Sequence, residues 1–152
     1  MNLLAQINGR TYAATTIRHP SDFASPFSEG LFPCLVWDHQ GRFDKAQQRD
    51  VAKALLDAGC RYAVCGGKEC EAWHDSFDWE FVERHLNDAD EVREAEHIMT
   101  TWHEGETPDE VAFFFVCNTN FDDHDFTRYL VLHIGADETN DDVDAAIRRH
   151  AG

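Results

Sequence analysis

Between Cys34 and Cys65 the chain reads strand, helix, strand, and no other stretch restricts the possible folds as tightly. The apolar run Cys34-Leu35-Val36-Trp37 stops at Asp38-His39-Gln40-Gly41. Asp44 with Gln47 three residues on is a helix-start pair whose side chains satisfy free backbone N–H groups. Val51, Ala54, Leu55 and Ala58 then recur on one helical face, and Gly59 stands where a left-handed cap is wanted. Arg61-Tyr62-Ala63-Val64-Cys65 follows as a second strand, closed by Gly66-Gly67. Such a βαβ unit requires its two strands to be parallel in one sheet.

The rest of the chain extends this pattern. Asn8-Gly9 between short alternating stretches predicts a hairpin over about residues 3–14, and residues 16–33 read as loop. Trp73, Phe77 and Phe81 lie four residues apart, so residues 69–86 read as a helix with those three in the core, interrupted if Asp75 or Ser76 breaks it. Residues 87–96 are too acidic for a core. Ile98–Trp102 is expected as a strand. Thr107-Pro108-Asp109-Glu110 carries an N-cap, a proline and an acid in the order of a helix start, read as one short turn before a strand Ala112–Cys117. Tyr129–Ile134 reads as the last strand, paired parallel to the others or antiparallel to Ala112–Cys117, and residues 141–150 as a closing helix.

Near-continuous apolar strands belong to sheets covered on both faces. The expectation is one α/β domain over residues 1–152: an N-terminal hairpin and loop (1–33) and a βαβ core (34–150). Its fold class is three-layer, Rossmann-like or flavodoxin-like, with a mostly parallel sheet of about four to five strands. The longest apolar run, Val111–Cys117, is too short to cross a membrane, and the first residues carry no basic flank or long apolar stretch. The cytosol is the expected location. Five cysteines, an odd number, argue against a disulfide framework there.

Charge is lopsided. Residues 1–60 hold six acids and six bases, whereas residues 61–152 hold 23 acids and seven bases and so carry the whole net charge of −16. From Glu69 to Glu110, 15 acids face only Arg84 and Arg93. That field repels nucleic acid and anionic membranes and favours a basic protein partner. The carriers would be Glu71, Asp75, Asp78, Trp79, Glu80 and Glu83. Trp79 is expected in the core; exposed, it would be an aromatic anchor ringed by carboxylates.

Small-ligand chemistry has a different address. Open parallel sheets bind ligands at the carboxyl ends of their strands, where the expected strands place Asp38, His39, Cys65, Lys68, Cys117 and Asn118. Gly66-Gly67-Lys68 lacks the Walker spacing, and no G-x-G-x-x-G occurs. Cys65 or Cys117 beside a histidine would suit a nucleophile, and His103-Glu104 an acid–base pair. Asp122–Asp125 lacks the glycine and glutamate of a calcium loop and reads as solvated. No cofactor is predicted; Cys65, Cys70 and His74 are the speculative metal ligands, for zinc. The leading expectation is a non-enzymatic acidic binding protein engaging a basic partner through residues 69–110, in the manner of immunity or inhibitor proteins. The alternative is a small Rossmann-like enzyme or nucleotide sensor using the strand ends. A regulatory subunit with a merely solubilising acidic face is the third. Oligomeric state has no signature in the sequence.

Overall fold

The computed structural model describes residues 2–86, 96–120, 124–135 and 141–152. The hairpin forms as expected. Strands β1 (Asn2–Ile7) and β2 (Arg10–Ile17) pair antiparallel across Asn8 and Gly9, both at positive φ. Two successive positive φ values match the twist of the flanking strands, which is why Asn-Gly is favoured there. After a 3₁₀ turn at Pro20–Asp22, the βαβ unit runs through β3 (Phe32–Asp38), α1 (Lys45–Ala58) and β4 (Cys60–Gly67). Asp44 Oδ1 accepts from the Gln47 N–H at 2.8 Å, and Gln47 Oε1 accepts from the Asp44 N–H at 2.9 Å. Gly59 ends α1 at φ 113°, where an added Cβ would lie 2.6 Å from the Gly30 carbonyl oxygen.

Helix α2 (Cys70–Arg84) is continuous through Asp75 and Ser76. It leads toward β5 (Met99–Trp102), with α3 (Pro108–Cys117), β6 (Arg128–Ile134) and α4 (Asp141–Ala151) completing the chain. The six strands form one sheet in the order β1-β2-β6-β3-β4-β5, antiparallel only between β1 and β2. The hairpin is thus part of the main sheet, because β2 lies parallel to β6 with Tyr12 opposite Tyr129.

Residues 112–117 are helical, which corrects the strand expected there. A short apolar run fits a buried strand or a buried helix equally well by composition. Packing decides: Val111, Ala112, Phe115 and Val116 are buried, whereas Phe113 is 51% exposed. Positions 111, 112, 115 and 116 share a helical face, and 113 lies away from it. The Thr107 cap, its side chain accepting from the Glu110 N–H at 3.2 Å, opens three turns of helix.

Alternation along the strands supplies two cores. Cys34, Val36, Ala63, Cys65, Leu130 and Leu132 pack under α1 and α2 with Val51, Leu55, Trp73 and Phe77. Leu35, Tyr62, Val64, Tyr129 and Val131 pack under α3 and α4 with Val111, Phe115, Val143 and Ile147. Both faces of the central strands are covered, which explains their unbroken apolar runs. No helix among the described residues is long and apolar enough to cross a membrane.

Candidate functional site

The chain moves outward from β3 to β4 to β5, then returns with β6 to the other side of β3. The loops after β3 and β6 therefore part in opposite directions, and a crevice opens at their carboxyl ends. It has a volume of about 210 Å³ and is lined by Arg18, Asp38, Gln40, Arg42, Phe43, Ile134 and Gly135. Asp38 is buried beneath it and fully engaged. Its Oδ2 accepts from Trp73 Nε1 at 2.9 Å, and its Oδ1 accepts from the N–H groups of Gln40 (3.1 Å) and Gly41 (2.8 Å). Those three donors make Asp38 the fastener that holds the β3 loop to α2, because a buried carboxylate needs its lone pairs satisfied.

His39, the next residue, is half-buried and joins two buried polar groups on the other face of the sheet. His133 interrupts the apolar run of β6, and its neighbours Leu132 and Ile134 pack under α1 and α2, so its own ring lies on the side of α4. There His133 Nε2 stands 2.8 Å from Asp144 Oδ1, and His133 Nδ1 stands 2.9 Å from His39 Nε2. With Asp144 ionised, His133 carries its proton on Nε2 and accepts at Nδ1. His39 Nε2 is then the donor to His133 Nδ1. Sequence reasoning found Asp38 and His39 but missed Arg18, Arg42, His133 and Asp144. Only His133 left a signal, as a histidine inside a strand buried on both faces.

The other expected rim residues fare differently. Lys68 lies at the end of β4 on a second cavity of about 550 Å³, together with Glu69, Glu71 and Glu104. The Lys68 N–H donates to the Asp38 carbonyl at 2.8 Å, and a Cβ on Gly67 would come within 2.4 Å of that oxygen. Gly66-Gly67 thus serves close strand packing, and the Lys68 amide is committed to the backbone. Cys117 and Asn118 are not on the rim. They sit at the C-terminal end of α3, which runs back toward the amino ends of the strands, because residues 112–117 are helix.

Cys65 is completely buried, and burial pushes its thiol well above the ordinary range, as it does for Cys34. Cys60 is pushed up to about 12 by the same desolvation, and the Cys70 thiol is also raised by burial. A thiol held protonated is a poor nucleophile and a poor metal ligand. Cys65 and Cys70 lie in the core, whereas His74 packs on Trp102 with ring centroids 4.5 Å apart and approaches Asp75 and Asp78. Among the described residues no group of three or more His, Cys, Asp or Glu is placed to hold a metal ion, so the expected Cys65, Cys70 and His74 set is not assembled. His103 pairs with Glu106 rather than Glu104. Its Nδ1 is 2.9 Å from Glu106 Oε2 and its Nε2 2.9 Å from Thr101 Oγ1, which fastens the turn between β5 and α3. Of residues 122–125, only His124 and Asp125 lie within the described residues.

The outward side of α2 carries the second candidate surface. Trp79 is 62% exposed, which overturns its expected core placement, because α2 buries only the side bearing Cys70, Trp73, Ser76, Phe77 and Glu80. Val82 and Leu86, three and seven residues on, are 49% and 71% exposed and extend one apolar stripe. Glu71, Asp75, Asp78 and Glu83 are exposed around it. Asp78 accepts from Thr100 Oγ1 at 2.9 Å, and Glu83 pairs with Arg49 of α1. Glu80 is not part of this face. It is buried against α1, 3.4 Å from Arg49, and leaves the partner-binding set for that reason.

A protein-family model described as "Domain of unknown function (DUF7684)" matches residues 11–150. The chain belongs to this family. The DUF7684 match runs from β2 to α4 and so contains both the strand-end crevice and the exposed face of α2. No curated protein and no solved structure matches the chain.

Proposed function

We propose that this DUF7684 member is a cytosolic binding protein that engages a basic protein partner through the outward face of α2. The exposure of Trp79 carries the reading. A tryptophan that gives up burial to stand among Asp75, Asp78 and Glu83 combines the aromatic anchor and the surrounding charge of an interface hot spot. Val82 and Leu86 widen the apolar centre, and carboxylates form the rim. The occupant is a surface with an apolar pocket ringed by lysine or arginine. Immunity and inhibitor proteins that neutralise basic toxins or nucleases are the sharpest members of this class. The sheet beneath is of the doubly wound, Rossmann-like or flavodoxin-like type, supported by helices on both faces and the reversal between β3 and β6.

A fluorescein-labelled peptide library rich in lysine and arginine, with single tryptophan or leucine anchors, tests this by anisotropy. The best binder is expected to lose about 30-fold in affinity on Trp79→Ala, the scale of a hot-spot residue. Tenfold or greater weakening is also expected between 50 and 500 mM salt, as charges on a solvated rim are screened. Binding indifferent to both changes would sink the reading.

A further inference from the structure

We propose that the crevice at the carboxyl ends of β2, β3 and β6 is a second site. It binds a compact oxyanion, a carboxylate or phosphate monoester, between Arg18 and Arg42.

Two observations meet there. The first is the disposition of the cations. In a chain of net charge −16, arginines find carboxylates easily: Arg49, Arg84 and Arg149 pair with them. Arg61, Arg128 and Arg148 donate to backbone carbonyls, and Arg10 lies over the ring of Tyr129. Arg18 and Arg42 make no ion pair and no side-chain hydrogen bond among the described residues, yet both line one crevice. A guanidinium has five donors in a planar fork that matches carboxylate and phosphate oxygens. Two of them facing one cavity set a local field opposite to that of the whole molecule.

The second is the cavity itself. At about 210 Å³ it has room for roughly seven waters at about 30 Å³ each. It therefore takes a small ligand whole or the anionic end of a larger one. Phe43 and Ile134 supply apolar wall, and Asp38, bonded to Trp73 and to two backbone amides, keeps the loop in shape without offering its own charge to solvent.

The crevice is independent of the α2 face, so failure of either reading leaves the other standing.

Calorimetric titration of the full chain with inorganic phosphate, succinate and AMP tests the site. Saturable binding of phosphate or succinate is expected, weakened at least tenfold by Arg18→Gln and by Arg42→Gln. Both variants alter exposed side chains and leave the fold intact. Phosphate preferred over succinate names a phosphate monoester as the source, and the reverse names a carboxylate. No saturation by 10 mM of any of the three, or binding unchanged in both arginine variants, overturns the site.

Discussion

His133 Nε2 and Asp144 Oδ1 stand 2.8 Å apart inside the protein, joining β6 to α4 across a separation of 11 residues. Both side chains are buried, so each satisfies a group that would otherwise lose water without compensation. Asp144→Ala is expected to cost about 2–3 kcal/mol, the range for losing a hydrogen bond to a buried charged group. Asp144→Asn keeps an acceptor and is expected to cost less. Urea unfolding of the two variants measures both, and an Ala variant as stable as the parent would mean that the pair contributes nothing to docking α4.

Phe113 and Phe115 separate helix from strand at residues 112–117. In a strand they would share a face; in α3 they diverge, one exposed and the other fully buried. Phe115→Ala is expected to cost about 3–5 kcal/mol and Phe113→Ala under about 1 kcal/mol. Equal losses in chemical denaturation would restore the strand.

The thiols divide by burial. Cys34, Cys60, Cys65 and Cys70 are buried with thiols raised above their ordinary value, whereas Cys117 is exposed. Iodoacetamide at pH 8 is expected to modify Cys117 alone in the native protein and all five cysteines after unfolding. Mass spectrometry counts the adducts. Native labelling at Cys65 would reopen its candidacy as a nucleophile.

The same thiols set an alkaline limit on stability. In the unfolded chain a cysteine ionises near its ordinary value, about 8.5, while Cys60 in the folded state holds its proton to about 12. A raised folded value means stability is complete below the unfolded value and is lost as pH rises toward the folded one. Each such thiol removes about 1.4 kcal/mol per pH unit in that window. Cys60→Ala is expected to flatten the fall in stability above about pH 9 by one proton's worth. An unchanged slope in denaturation curves from pH 8 to 10.5 would contradict it.

Gly59 closes α1 at φ 113°, beside the Gly30 carbonyl. Gly59→Ala is expected to destabilise by about 1–3 kcal/mol, since a side chain there meets both left-handed strain and backbone oxygen. A neutral effect in thermal unfolding would show that the two loops separate easily.

Much of this architecture was legible because its causes are local. The Asn8-Gly9 turn, the Asp44–Gln47 box, the Gly59 cap and the stripe at Val51 and Leu55 each write their conformation within a few residues. The same is true of Thr107-Pro108, whose helix-start chemistry reads correctly although the helix runs on through the residues expected as a strand. The apolar run behind it satisfies strand and helix alike, and only the neighbours it packs against choose between them. Trp79 was misplaced for a related reason. A helix rich in large apolar residues offers more than one side to a core, and the two cores here were filled by other residues.

Asp38 and His39 came from the general rule that strand ends hold sites, but their roles did not. The chain alone determined the parallel βαβ frame, the hairpin and the concentration of acid after residue 60. Those follow from spacing, turn chemistry and composition. Tertiary structure alone decided that β6 returns beside β3. That one placement opens the crevice, brings Arg18 to Arg42 and sets His133 between His39 and Asp144. Contacts between residues far apart in sequence depend on strand order, and strand order has no local signature.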